Sequence, residues 1–340
     1  MNPEVAHLTL RSNTLPWTST GIHVKAGDAV TLLGSGFIRW SEHHDIGAGA
    51  KFHLWGRIRG GTTFSCTQDT TTVTVGRSGI LEVCVYRGAW ADRYGALATG
   101  PALYERGSGS LHVTAVHWPQ GVLPLDGLRT AQLPDADAVL AQAEVERLSS
   151  PVTSPPGWHH LLDFGDTDIF RAAHVGTAPA IEVVCDNDMG ILTTPMRHPL
   201  TPDTVLQWCW RVDALPSTTR EDTTWSHDYV SIALEFGNGR DLTWFWSASL
   251  EPVETTFACP ARAWSQRETH MPVRCGPDGL GLWQTEARNV WHDYARFVGP
   301  PPERIVGVWL IAVSHFTRSL GRAEFAGVRL VDGDRAVQIL

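Results

Sequence analysis

The sequence predicts an all-β protein of two β-sandwich domains, joined by a segment with one helix. Three observations predict it. Short runs rich in Val, Ile, Thr and aromatic residues recur between turn signals spaced about 8–12 residues apart, the grammar of a sandwich. The chain has 340 residues, about two domains at roughly 150 residues each. With 43% hydrophobic and 19% charged residues it can build real cores, which excludes disorder, collagen and coiled coil.

Residues 1–118 form the first predicted domain. The run His23-Val24-Lys25-Ala26-Gly27-Asp28-Ala29-Val30-Thr31-Leu32 reads as strand, Gly-Asp turn and strand. Residues 71–75 and 80–86 repeat that pattern around Arg77-Ser78-Gly79, and 111–118 close the block. Residues 119–157 read as a linker. Its stretch 133–149 is rich in Ala, Leu, Glu and Arg, with Asp135 and Asp137 where a helix welcomes acids. Pro151, Pro155, Pro156 and Gly157 then break the pattern. Residues 158–340 return to strands. Leu206, Trp208, Trp210 and Val212 alternate with Gln207, Cys209 and Arg211, and 305–313 are almost continuously apolar.

The net charge is −9 and no basic run stands out, which argues against nucleic acid and anionic membranes as partners. No window approaches 18 apolar residues, so no membrane span is expected. Met1-Asn2-Pro3-Glu4 lacks the basic start and apolar stretch of a secretion signal, and a soluble cytoplasmic protein is expected. The six cysteines include no CxxC pair, and buried free thiols are the reading. His43-His44-Asp45 and His53 read as loop residues between strands rather than a metal site. Phosphate-loop, dinucleotide, zinc-protease and nucleophile-elbow motifs do not occur.

The unusual count is tryptophan, 15 against 5 tyrosines. Two of them mark the best local signal. Residues 226–236 and 241–247 flank Gly237-Asn238-Gly239-Arg240, and Asn-Gly favours a two-residue hairpin turn. That turn places Phe236 opposite Asp241, Ala233 opposite Trp244, Ser231 opposite Trp246 and Tyr229 opposite Ala248. His227, Tyr229, Ser231, Glu235, Trp244 and Trp246 would then share one face, with Val230, Ile232, Leu234 and Phe245 on the other. An imidazole, a carboxylate, hydroxyls and indoles on one face fit a ligand pocket. Arg267-Glu268-Thr269-His270 concentrates cation, acid and base nearby, and Trp283, Glu286 and Arg288 follow.

The expected catalytic residues are therefore His227, His270, Glu235 and Glu268. Tyr229, Ser231, Trp244, Trp246, Arg267, Trp283 and Arg288 are the expected substrate-binding residues. This toolkit suits a cofactor-independent enzyme that dehydrates and cyclises a planar or polyene small molecule by acid–base help. The alternative is a carbohydrate-binding protein without chemistry, or a glycan lyase or hydrolase in which Glu235 faces Glu268 or Glu286.

The block Trp17…Thr20-Gly21-Ile22-His23-Val24…Gly27-Asp28…Val30-Thr31 is similar to the calcium-dependent galactose-binding bacterial lectins. So are Ser78-Gly79-Ile80-Leu81…Val85-Tyr86 and Gly107-Ser108-Gly109-Ser110-Leu111-His112-Val113. The resemblance implies a galactose-binding-type sandwich holding calcium through an acid after the tyrosine strand and Asn or Asp beside the Ser-Gly-Ser turn. Here those positions read Arg87-Gly88 and Glu105-Arg106. Asp92 and Glu105 supply only part of the roughly six to eight oxygens that calcium takes. A lectin domain kept as scaffold is the expectation, with no cofactor required and calcium the one metal the resemblance allows.

The C-terminal half resembles a bacterial and fungal family of uncharacterised jelly-roll-like domains, through His227-Asp228-Tyr229, Arg267-Glu268-Thr269-His270 and Glu286-Ala287-Arg288-Asn289. A lectin-like sandwich followed by such a domain is also similar in architecture to the fungal hetero-Diels–Alderases of tropolone sesquiterpenoid biosynthesis. That similarity implies ring closure, and no catalytic residue is carried over from it.

Overall fold

The computed structural model describes residues 3–41, 46–105, 107–222, 228–251, 256–258 and 266–340. The fold is all-β, as two sandwiches. One unit comprises Met1–Pro151 with Leu162–Thr167, the other Val152–Leu161 with Asp168–Leu340. No helix among the described residues is long and apolar enough to cross a membrane.

In the first unit, Glu4–Arg11, Ser108–Trp118, Ala29–Ser41 and Ile46–Ala48 pair in that order, and Thr70–Thr74 also pairs with Ala29–Ser41. The second sheet runs Thr18–Val24, Gly79–Val85, Leu54–Ile58, Thr63–Ser65. Alternate side chains from both sheets meet in the core, among them Leu32, Val113, Leu54 and Val83.

Segment 119–151 belongs to this unit and carries two helices, Pro124–Thr130 and Asp135–Ser149, where the sequence predicts a linker with one. Leu128, Ala141 and Val145 cover Leu33, Val116 and Trp118 on the outside of the larger sheet. Gly127 permits the approach, since a Cβ there would lie 2.3 Å from the Trp118 ring. Glu144 is fully buried, accepts from Thr70 Oγ1 at 2.7 Å and pairs with Arg147 at 2.7 Å, which pins the longer helix to the sheet.

The second unit stacks a seven-stranded sheet on a six-stranded one. The former runs His159–His160, Met189–Pro199, Arg304–Val313, Tyr229–Phe236, Asp241–Ser247, Glu268–Cys275, Phe257–Ala258. The latter runs Phe170–Val175, Ala178–Asp186, Leu320–Asp332, Thr204–Ala214, Gln284–Asn289, with Arg335–Gln338 beside Leu320–Asp332. The Asp241 and Glu268 strands are parallel, whereas the other described pairs of this sheet are antiparallel.

The hairpin at Asn238 differs from expectation by one residue. Phe236 N–H donates to Arg240 O at 2.8 Å and Gly239 N–H to Phe236 O at 2.9 Å, which makes a three-residue loop. Only Gly239, at φ 76°, takes the left-handed conformation there, whereas the two-residue turn needs it at Asn238 as well. The pairs become Glu235–Asp241, Leu234–Leu242, Ile232–Trp244 and Ser231–Phe245. A slip of one residue exchanges the faces of the second strand.

Trp244 and Trp246 therefore lie in the core with Val230, Ile232 and Leu234. Trp244 sits 6.2 Å from Trp208, and Trp246 sits 5.7 Å from Trp210, between ring centroids across the two sheets. Trp208 and Trp210 are fully buried, as their alternation predicts. The described cysteines are free thiols; Cys66, Cys84 and Cys185 are buried.

Candidate functional site

The outer face of the seven-stranded sheet carries the side chains that the core face excludes. Glu235, Asp241 and Glu268 are paired residues on three adjacent strands, so three carboxylates stand in one row. Adjacent strands lie about 4.8 Å apart, and like charges directly opposite one another repel. The next row holds Trp309, Ala233, Thr243, His270 and Phe257. Tyr229, Ser231 and Phe245 lie beyond it on the same face.

Most of this face is buried. Asp241, His270, Ser231 and Thr243 have no exposure, and Glu268 and Tyr229 each retain 6%. The Glu235 and Arg267 side chains, at 29% and 41% exposed, mark the open end of the row. They form a long ion pair at 3.9 Å.

Burial, and then the charge of Glu268, push the Asp241 carboxyl well above its ordinary range; Arg267 and the Thr243 hydroxyl oppose this weakly. Thr243 Oγ1 donates to Asp241 Oδ1 at 3.3 Å, while the buried Asp241 Oδ2 and Ser231 Oγ have no hydrogen-bond partner among the described residues. Burial also raises Glu235, with Arg267 and Trp309 opposing it. His270 Nε2 lies 3.6 Å from Glu268 Oε2 and 3.4 Å from the Tyr229 hydroxyl. Its ring is enclosed by Tyr229 and Phe257, each 5.1 Å away, and by Phe245 at 6.2 Å.

Of the residues that the sequence puts together, Glu235, Glu268, His270, Tyr229 and Ser231 share this face, with Arg267 at its rim. The others do not join them. Trp244 N–H donates to Asp293 at 3.1 Å and Trp246 N–H to the Gly276 carbonyl at 3.0 Å, both from the core side. Arg288 pairs with Asp293 at 2.6 Å and so holds the acceptor of the Trp244 indole. Glu286 accepts from the Trp210 indole at 3.1 Å and pairs with Arg274. Trp283, 37% exposed, lies 5.8 Å under Arg211, a residue of the six-stranded sheet. His227 lies outside the described residues.

Sequence reasoning missed Asp241, Thr243, Phe245, Trp309 and Phe257. The readable signal was the second glycine: Gly237-Asn238-Gly239 accommodates a three-residue loop as well as a two-residue one.

The first unit offers poor calcium chemistry. Arg87 is buried in the loop after Gly79–Val85, and its guanidinium is a fixed cation where the lectin resemblance asks for an acid. Asp92 is occupied by the Tyr94 and Ala96 amides, and Glu105 is exposed. Among the described residues, no group of three or more His, Cys, Asp or Glu side chains is disposed to hold a metal ion. His53 is structural: Nε2 accepts from the Trp40 indole at 2.8 Å and Nδ1 donates to Tyr86 O at 2.6 Å. His43, His44 and Asp45 lie outside the described residues.

A family model described as "Protein of unknown function (DUF3047)" matches residues 157–329, which include the strands that carry the carboxylate row. The chain belongs to that family. No curated protein matches it. Among solved structures, the EclA N-terminal domain, a PllA-like lectin, is similar at 19% identity and TM-score 0.27, over 34% of this chain and 98% of that one. The xyloglucanase domain of NopAA from Sinorhizobium fredii is similar at 8% identity and TM-score 0.30, over 55% and 96%. A family 11 carbohydrate-binding module of a Clostridium thermocellum cellulase gives 10% and 0.25, over 53% and 85%.

Proposed function

We propose that the C-terminal unit binds carbohydrate at the outer face of its seven-stranded sheet. The observation that carries this reading is the row Glu235–Asp241–Glu268, bordered by the rings of Tyr229, Phe245 and Trp309. Sugar hydroxyls donate to carboxylates, and sugar C–H faces lie on aromatic rings. Asp241 Oδ2 and Ser231 Oγ are buried polar atoms for which a hydroxylated ligand supplies the missing partner. The ligand enters at the Glu235–Arg267 end, where the face opens.

Glycan hydrolysis is the second reading, favoured by one observation. Asp241 is pushed towards its protonated form beside a second carboxylate, the division of labour between acid and base that glycosidic cleavage uses. The ring-closure reading is weaker, because Trp244 and Trp246, its stacking surface, lie in the core.

Calorimetric titration of the full chain with a panel of neutral oligosaccharides tests the proposal, alongside assay of reducing-end release. Binding that weakens about tenfold or more in both Asp241→Asn and Glu268→Gln supports it. Reducing-end release that both variants abolish adds the hydrolytic reading. The proposal fails if no sugar binds, or if binding is indifferent to both substitutions.

A further inference from the structure

Among the described residues, nothing pairs with the arginine that the first unit buries. Arg87 is 4% exposed, yet among the described residues its side chain makes no ion pair, and its buried Nη1 has no hydrogen-bond partner. Its backbone is held firmly: the amide donates to the Tyr104 hydroxyl at 3.2 Å, and the carbonyl accepts from Thr99 Oγ1 at 3.2 Å. The guanidinium carbon lies 6.0 Å from the Tyr104 ring centre. That phenol supplies no countercharge, because burial pushes it up to about 12 and keeps it neutral. A Cβ on partly exposed Gly107 would lie 2.1 Å from Nη1, so a side chain there would displace the guanidinium. Burying a charge is costly unless it is paired, and an isolated arginine fork matches a planar oxyanion.

We propose that Arg87 is the anchor of a carboxylate-binding site in the first unit, at the position where the lectin resemblance puts calcium. The ligand is a small molecule bearing a carboxylate, and an acidic sugar is the form that adds hydroxyls to the same contact. The site is separate from the carboxylate row of the second unit and does not depend on the function proposed for it.

Titration of the full chain with D-glucuronate, acetate, D-galactose and calcium tests the site. Glucuronate is expected to bind and to raise the melting temperature. Glucuronate binding more tightly than acetate identifies an acidic sugar; equal affinity identifies the carboxylate alone as the recognised group. Arg87→Gln should weaken binding about tenfold or more. Gly107→Ala keeps the arginine but moves it, and should weaken binding similarly, which preserves the test if Arg87→Gln does not fold. Arg87→Met should melt no lower than the ligand-free wild type, since it removes an unpaired buried charge; a purely structural arginine would make it melt lower. The proposal is overturned if neither carboxylate binds, if both variants bind undiminished, or if galactose binds only with calcium.

Discussion

Asp241 shows how a single side chain can oppose the fold that holds it. It is fully buried, faces Glu268 across one strand gap and Glu235 across the other, and its carboxyl is pushed well above the ordinary 3.8. A carboxyl raised in the folded state contributes stability below its unfolded value, and that contribution is lost as pH rises through the folded one. The wild-type melting temperature should therefore fall, relative to Asp241→Asn, as pH rises from about 4 towards neutrality. Near pH 7 the Asn variant should be the more stable of the two, measured by denaturant titration across pH. A different residue gives the contrasting result. Trp244 fills the core and donates to Asp293, so Trp244→Ala should cost about 3–5 kcal/mol at any pH. The sequence makes Glu268 and His270 legible as a pair because alternate residues of a strand point together. Asp241 was not legible, since its side depends on a turn rather than on its neighbours.

At the scale of the element, the second strand of that hairpin is the informative case. Its identity as a strand was legible from Thr243, Trp244, Phe245 and Trp246, all β-formers. Which side faced inward was not, because every residue from Asp241 to Ser247 is buried and the pattern is uniform. Alternation cannot set a register where both faces are covered. The register rests instead on the loop, where Gly239 alone has positive φ and open space around a would-be Cβ. Gly239→Ala should therefore cost about 1 kcal/mol through backbone strain without steric conflict, and Gly239→Asn should cost less. Thermal denaturation of the two variants checks the ranking.

Across the molecule, the division into two sandwiches was legible from turn spacing and the proline-rich break, but the edge of the first was not. The helical stretch looked like a connector because its exposed residues dominate its composition. Its few buried residues, Ala141, Glu144 and Val145, are what bind it to the sheet. A fragment ending at residue 118 should therefore expose Leu33, Val116 and Trp118, bind a hydrophobic dye and melt lower than one ending at residue 167, as fluorescence and circular dichroism would report.

The parallel pairing of the Asp241 and Glu268 strands carries a consequence for time rather than structure. The Tyr229 and Asp241 strands close through three residues, whereas residues 248–267 must pass before Glu268 can dock. Local closures precede distant ones, so the hairpin assembles early and the acid pair is completed late. Mutual repulsion then opposes the closing step itself. Refolding of the second unit should run faster in mild acid than at neutral pH, and Glu268→Gln should remove most of that difference.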